Sequence, residues 1–218
     1  MKTVDLLVLA NSRKKNGNCL AGLILPELKE WVRPISPHTE HGQIPEDQIL
    51  VFDGSLQRRI KPLDVIRVSL NRGKFAPYHP EDWKLSDRPI NFIRGASIDE
   101  IARDLHKRSD NTNNLLDLNG KKFITTTEAQ KGLSHSIETI LVDSPKIFID
   151  SYGKPRASFS FNNSSYQYVS VTHPELEHLI LQRSVPKIKQ WYFTVSLTEE
   201  YNGCHWMVVA AGLPLIKH

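Results

Sequence analysis

Leu63-Asp64-Val65-Ile66-Arg67-Val68-Ser69-Leu70 sets Val65, Ile66 and Val68 against charged and polar neighbours. That is the pattern of a β-strand with one face in a core and the other in water. Working outward, the run 3–10 (TVDLLVLA) is too short for a helix and stops at Asn11-Ser12, so it reads as a first strand. Asn16-Gly17-Asn18 is a turn, because Asn and Gly accept positive φ at little cost. The apolar stretch behind it is broken at Gly22, where a bulge or tight bend is expected. Trp31-Val32-Arg33-Pro34-Ile35 and 49–52 (ILVF) are further short extended pieces.

The middle of the chain differs. Pro77, Pro80 and Pro89 interrupt it, and Ser97 then opens SIDEIARDLHKR, with Glu100 three residues on and Ile98, Ile101, Ala102 and Leu105 at helical spacing. This is a capping box ahead of an amphipathic helix. A shorter helix is expected at 127–132. Strands return at 139–142, 146–150, 157–162, 166–171, 191–196 and 206–213, with a short helix over 175–183 (ELEHLILQR) between the last two pairs. The expected fold is mainly β: two small β-barrels or sandwiches over 1–90 and 134–218, joined by a helical segment at 91–133. An echo links Asn16-Gly17-Asn18-Cys19…Ala21-Gly22-Leu23 to Asn202-Gly203-Cys204…Ala211-Gly212-Leu213 and raises the question of a duplication.

The 218 residues are 39% hydrophobic and 24% charged, which excludes a collagen, a coiled-coil rod or a wholly disordered chain. No apolar run approaches the roughly 18–20 residues of a membrane span. The N-terminus lacks the basic-then-apolar order of a signal peptide, and two cysteines exclude a disulfide framework, so a cytoplasmic protein is expected. The net charge is +4, with basic clusters at Arg13-Lys14-Lys15, Arg58-Arg59-Ile60-Lys61 and Lys187-Ile188-Lys189. Such a surface attracts polyanions, of which nucleic acid is the commonest.

Asn11, Ser12, Arg13 and Lys14 follow the first strand, where they suit phosphate and base-edge contacts as well as a solvated hairpin tip. Trp31 and Arg33 share one face of a strand and could stack a base and hold its phosphate, or else pack as core with Arg33 reaching past. His79, Glu81 and Asp82 gather a histidine and two carboxylates beside Trp83, enough for acid–base chemistry if they converge, and otherwise a capped turn. Lys154, Arg156, Tyr166 and Tyr168 add cations and rings on a hairpin, with Arg156, Ser158 and Ser160 on one face and Ala157, Phe159 and Phe161 on the other. Cys19, Cys204 and His205 lack CxxC spacing, and no phosphate-cradling or nucleophile motif is present, so neither cofactor nor metal is expected.

Several strings together resemble the bacterial dual OB-containing domain family: Asn11-Ser12-Arg13-Lys14…Cys19-Leu20-Ala21-Gly22, Trp31-Val32-Arg33-Pro34-Ile35-Ser36, Pro62-Leu63-Asp64-Val65, His79-Pro80-Glu81-Asp82-Trp83, Lys154-Pro155-Arg156, and Thr194-Val195-Ser196-Leu197…Tyr201-Asn202-Gly203-Cys204. The resemblance implies two OB-like barrels and a nucleic-acid-binding or sensing role, with other proteins of bacterial conflict and phage-defence systems as partners. The leading expectation is a non-enzymatic module gripping nucleic acid in a basic, aromatic groove. The competing ones are a nucleotide- or nucleic-acid-processing enzyme using His79, Glu81 and Asp82, and a protein-interaction adaptor.

Overall fold

The computed structural model describes residues 1–72 and 76–216. The chain divides into two units, Met1–Ala76 with Glu81–Ile101, and Pro77–Pro80 with Ala102–His218.

The first unit holds β1 (Lys2–Lys14), β2 (Gly17–Ile24), β3 (Trp31–Ile35), the hairpin β4 (Leu50–Asp53) and β5 (Leu56–Arg59), β6 (Asp64–Asn71), β7 (Asp82–Leu85) and β8 (Asn91–Gly95). The sheet runs β1-β2-β3-β7-β6-β8, and β1 also pairs with β6, so five of the strands close on themselves. All ladders are antiparallel except β3 with β7. Numbering only the closing strands, the order is first, second, third, fifth, fourth, first: the Greek-key barrel of an OB fold. Closure removes the exposed strand edges that would template aggregation. Leu6, Val8, Leu20, Val32, Ile66, Val68 and Leu70 fill the interior. The expected break at Gly22 is a bulge, with Val8 opposite Gly22 and Ala10 opposite Ala21. Its cause is space, since a Cβ on Gly22 would lie 2.1 Å from the Leu7 carbonyl oxygen.

The second unit repeats this order. It contains β9 (Phe123–Thr125), β10 (Ile137–Asp143), β11 (Lys146–Ile149), β12 (Pro155–Phe161), β13 (Ser164–Val171), β14 (Gln190–Tyr201) and β15 (Cys204–Pro214). The path is β10-β14-β15-β13-β12-β11, with β13 and β15 parallel and β9 added to β15. β10 and β11 act as one first strand broken at Ser144, where φ is +48°: β10 pairs with the fourth strand and β11 with the second. Ala157, Phe159 and Phe161 enter the core with Tyr166, Trp191 and Phe193, as the alternation of β12 requires.

Helix α1 (Ile98–Asn111) begins where Ser97 predicts, and the Ser97 hydroxyl accepts the Glu100 N–H at 3.2 Å. The reciprocal half of the capping box is replaced by an ion pair of Glu100 with Arg94. Helix α2 (Thr126–Ala129) carries a complete box between Thr125 and Glu128, and α3 (Pro174–Leu181) joins the third and fourth strands of the second barrel. In the first barrel that connection holds the β4–β5 hairpin instead. The segment expected as a helical linker gives β8 to the first sheet and β9 to the second. The Ala-Gly-Leu echo falls on unlike strands, the second of one barrel and the fifth of the other, so the repeat lies in topology and not in those residues.

Candidate nucleic-acid interface

The residues expected to form a groove separate into buried and exposed sets. Arg33 on β3 is 2% exposed, and its Nε donates to Asp82 Oδ1 at 2.5 Å across the parallel ladder to β7, where the two are register partners. Burial pulls the Arg33 pKa down, but the negative charge of Asp82, with that of Glu81, outweighs it and keeps the guanidinium charged. The pair is structural: a charge this deep needs a partner more than it needs a phosphate. Trp31 is 7% exposed, and Tyr166 is 2% exposed with its ring stacked on Phe159 at 5.3 Å. Neither is a surface platform. These three assignments are corrected, because β3 is buried on both faces and Tyr166 points inward.

Asn11 and Ser12 are also buried, and the Asn11 amide donates to the Ile60 carbonyl at 2.6 Å, pinning β1 instead of reaching outward. Arg13 is exposed and Lys14 half-buried at the end of the same strand. Arg58 donates to both oxygens of Asp64 and to Asp53, and Arg59 pairs with Glu46. That basic cluster is therefore neutralised by carboxylates of its own barrel.

His79 and its sequence neighbours serve different units. His79 is 2% exposed in the second unit, where Nε2 lies 3.2 Å from the Leu197 carbonyl and Nδ1 lies 3.8 Å from Glu199. The Tyr78 ring sits 4.2 Å from that of His205, centroid to centroid. Asp82 belongs to the first unit and to Arg33. Burial lifts its pKa above the ordinary carboxylate value, against the pull of Arg33. His79 is thus a buried side chain and not a surface contact for nucleic acid. Among the described residues no group of three or more His, Cys, Asp or Glu is placed to hold a metal.

The exposed set gathers on one face of the second barrel. Asp150 ends β11 and accepts the N–H groups of Tyr152 and Lys154, each at 2.9 Å, and Arg156 Nε at 2.8 Å. These donors hold its carboxyl below the usual range, Arg156 most of all. One carboxylate thereby fixes the β11–β12 turn, leaving Tyr152 85% exposed and Lys154 exposed at its tip. Lys154 and Lys146 make no ion pair among the described residues. Arg156 also hydrogen-bonds Ser170 Oγ, and the register sets Phe148, Arg156 and Ser170 in one row across three strands.

Tyr168 completes the face. A bulge places Gln167 and Tyr168 opposite Ser158, and Tyr168 takes φ of +57°, an unusual conformation for a bulky side chain. Its N–H is satisfied by Ser158 Oγ at 3.0 Å. The ring emerges 59% exposed and meets Phe148 edge-on at 5.4 Å. Sequence reasoning named Tyr166 and Tyr168 together on one hairpin. Strict alternation puts both rings on one face, and the bulge parts them. Tyr152, Phe148 and Lys146 were missed; the Tyr-Gly-Lys-Pro turn was the available signal for the first.

Neither a curated protein nor a solved structure matches the chain. A family model described as dual OB-containing domain matches residues 4–211, spanning both barrels. With the same strand order closing twice along one chain, this protein belongs to the dual OB-containing domain family.

Proposed function

We propose that the chain is a nucleic-acid-binding module acting without turnover, and that it grips its ligand on the outer face of β11, β12 and β13. The observation that carries this reading is Tyr168, held in a left-handed conformation and turned outward against Phe148, beside Arg156 and the Lys154 turn. Backbone strain of order 1–3 kcal/mol persists where surrounding structure enforces it, and such positions cluster at functional sites. Rings beside cations are what a nucleic acid needs, since bases stack and phosphates seek charge. The second and third strands and the first loop of an OB barrel are also where that fold takes oligonucleotides.

A setting in bacterial defence, partners drawn from those systems and a cytoplasmic location are part of the same proposal and rest on the resemblance read from the sequence. Among the described residues no helix is long and apolar enough to cross a membrane.

The test is a salt titration of binding to labelled single-stranded DNA, single-stranded RNA and duplex. For a site contacting three phosphates on a single strand, log K should fall against log salt with a slope near −2, about −0.7 per phosphate. Absence of binding to every nucleic acid at low salt would refute the reading.

A further inference from the structure

One basic cluster of the sequence takes no part in the Tyr168 face: Lys187-Ile188-Lys189, in the loop between α3 and β14. Helix α3 closes in a Schellman motif, in which the Ser184 N–H donates to the Leu179 carbonyl at 2.9 Å and the Arg183 N–H to that of Ile180 at 3.0 Å. Arg183 therefore takes φ of +56°, at the position glycine usually holds. Further along, the Ile188 carbonyl accepts the Trp191 indole N–H at 3.1 Å, and the Lys189 carbonyl accepts the Ser144 N–H at 2.5 Å. Val185 and Ile188 pack down on the barrel core. The loop backbone is thus pinned at both ends, whereas Arg183, Lys187 and Lys189 stay exposed.

These three cations make no ion pair among the described residues, and no Asp or Glu occurs from 178 to 198 to supply one locally. Arg58, Arg59 and Arg156, by contrast, are each answered by a carboxylate. Aliphatic side chains lie uncovered in the same part of the chain. Leu181, the last residue of α3, is 55% exposed, and Ile216, just beyond β15, is 51% exposed. Ile216 lines an open groove of about 440 Å³ with Leu215, Ile188, Lys189, Gln190 and Asp143. The Gln190 carbonyl accepts the Leu215 N–H at 2.8 Å, and its side-chain amide donates to Asp143 at 2.9 Å, which engages the carboxylate of the groove. Among the described residues the lining holds no aromatic ring, so a nucleobase finds no platform there.

We infer that this groove and the 182–189 loop dock an acidic segment of a partner protein, whose leucine-like side chain enters against Ile188 and Ile216 while flanking carboxylates meet Lys187 and Lys189. An apolar centre with a charged rim is the anatomy of a protein interface. Unanswered cations select an acidic partner and speed its arrival, and a backbone fixed beforehand leaves little ordering to be done on binding. The inference goes beyond the nucleic-acid reading and does not depend on it, since it uses other residues and aliphatic chemistry instead of aromatic.

The experiment selects from a random library of short peptides on the full chain, then measures the best sequence against wild type, Lys187→Glu/Lys189→Glu, Ile216→Asp and Arg59→Ala. Wild type should enrich sequences in which carboxylates flank Leu, Ile or Met. The double charge reversal should weaken the selected peptide by roughly ten-fold or more, and exchanging the peptide's acids for amides should reproduce that loss. Ile216→Asp should weaken it several-fold, and Arg59→Ala should leave it unchanged. The replaced side chains are exposed, and thermal unfolding of each variant separates lost binding from lost folding. No enriched sequence, enrichment without carboxylates, or a peptide held equally by the double reversal overturns the inference. If the reversal instead removes binding to oligothymidine or to phosphatidylserine vesicles and spares the peptide, the cluster serves a polyphosphate or a lipid surface and the acidic-segment assignment falls. Failure of wild type to bind any nucleic acid would sink the earlier reading while leaving these peptide outcomes to be judged by themselves.

Discussion

The second and third strands of the two barrels hold the same places in one topology and meet opposite fates. β2 and β3 are buried along most of their length, whereas β12 and β13 expose Ser160, Ser165, Gln167 and Tyr168 and half-expose Arg156 and Ser170. The parallel ladder shows the same division. In the first barrel it joins Arg33 to Asp82, and in the second it joins Val171 to Val209. One barrel pairs Arg33, Arg58 and Arg59 with its own carboxylates, and the other pairs Arg156 with Asp150 but presents Lys146 and Lys154 beside exposed rings. A shared fold thus says where a ligand could sit, but only side-chain chemistry says in which copy it does.

The largest expected effect breaks the ladder of the first barrel. Asp82→Ala leaves the Arg33 guanidinium buried without its carboxylate and should cost about 3–5 kcal/mol in urea unfolding. Replacing both partners by Met and Leu should recover most of that loss. Val209→Ala at the matching ladder of the second barrel removes only apolar burial, about 2 kcal/mol. If Asp82→Ala proves milder than Val209→Ala, the contrast between the two ladders is wrong.

A comparable effect belongs to the helix that replaces the hairpin. His173 precedes α3, 3% exposed, and burial pushes its pKa down to about 4 from 6.5. The unfolded chain binds a proton below about 6.5 that the folded chain refuses until about 4, so stability rises with pH across this window. Acidification through it should cost on the order of 3 kcal/mol. In His173→Gln the slope should flatten; an unchanged slope would assign it to other groups.

Binding effects are smaller and should fall on the second barrel alone. Tyr168→Ala should cost roughly 1–3 kcal/mol of oligonucleotide affinity. Tyr168→Gly should cost as much affinity while raising stability by up to about 1 kcal/mol, since glycine takes positive φ without strain. Smallest of all, Lys154→Ala should shallow the salt slope by about 0.7, the share of one phosphate. Arg59→Ala, on the first barrel, should leave that slope unchanged.

Much of the scaffold was legible because strand patterns are local. The strand at 63–70 and the Ser97 cap follow from neighbours within a few residues, although the strand has no wet face and is buried on both sides except at Arg67. The site was less so. Trp31 and Arg33 do share a strand, but their burial depends on a partner 49 residues away, and no local pattern announces that. Arginine is so seldom fully buried that Trp-Val-Arg reads naturally as a surface. Alternation likewise misleads at Tyr166 and Tyr168, since one extra residue reverses which ring faces water.

The assignment of Pro77–Pro80 to the second unit has a practical reach for anyone dissecting the gene. Ownership of the polypeptide changes after Ala76, again after Pro80 and finally after Ile101, so no single cut yields two intact halves. A fragment begun at Ala102 forfeits the imidazole that meets the Leu197 carbonyl and the phenol ring that lies over His205. Fusing that tetrapeptide back, or deleting by interior replacement, is the way to assay either barrel by itself.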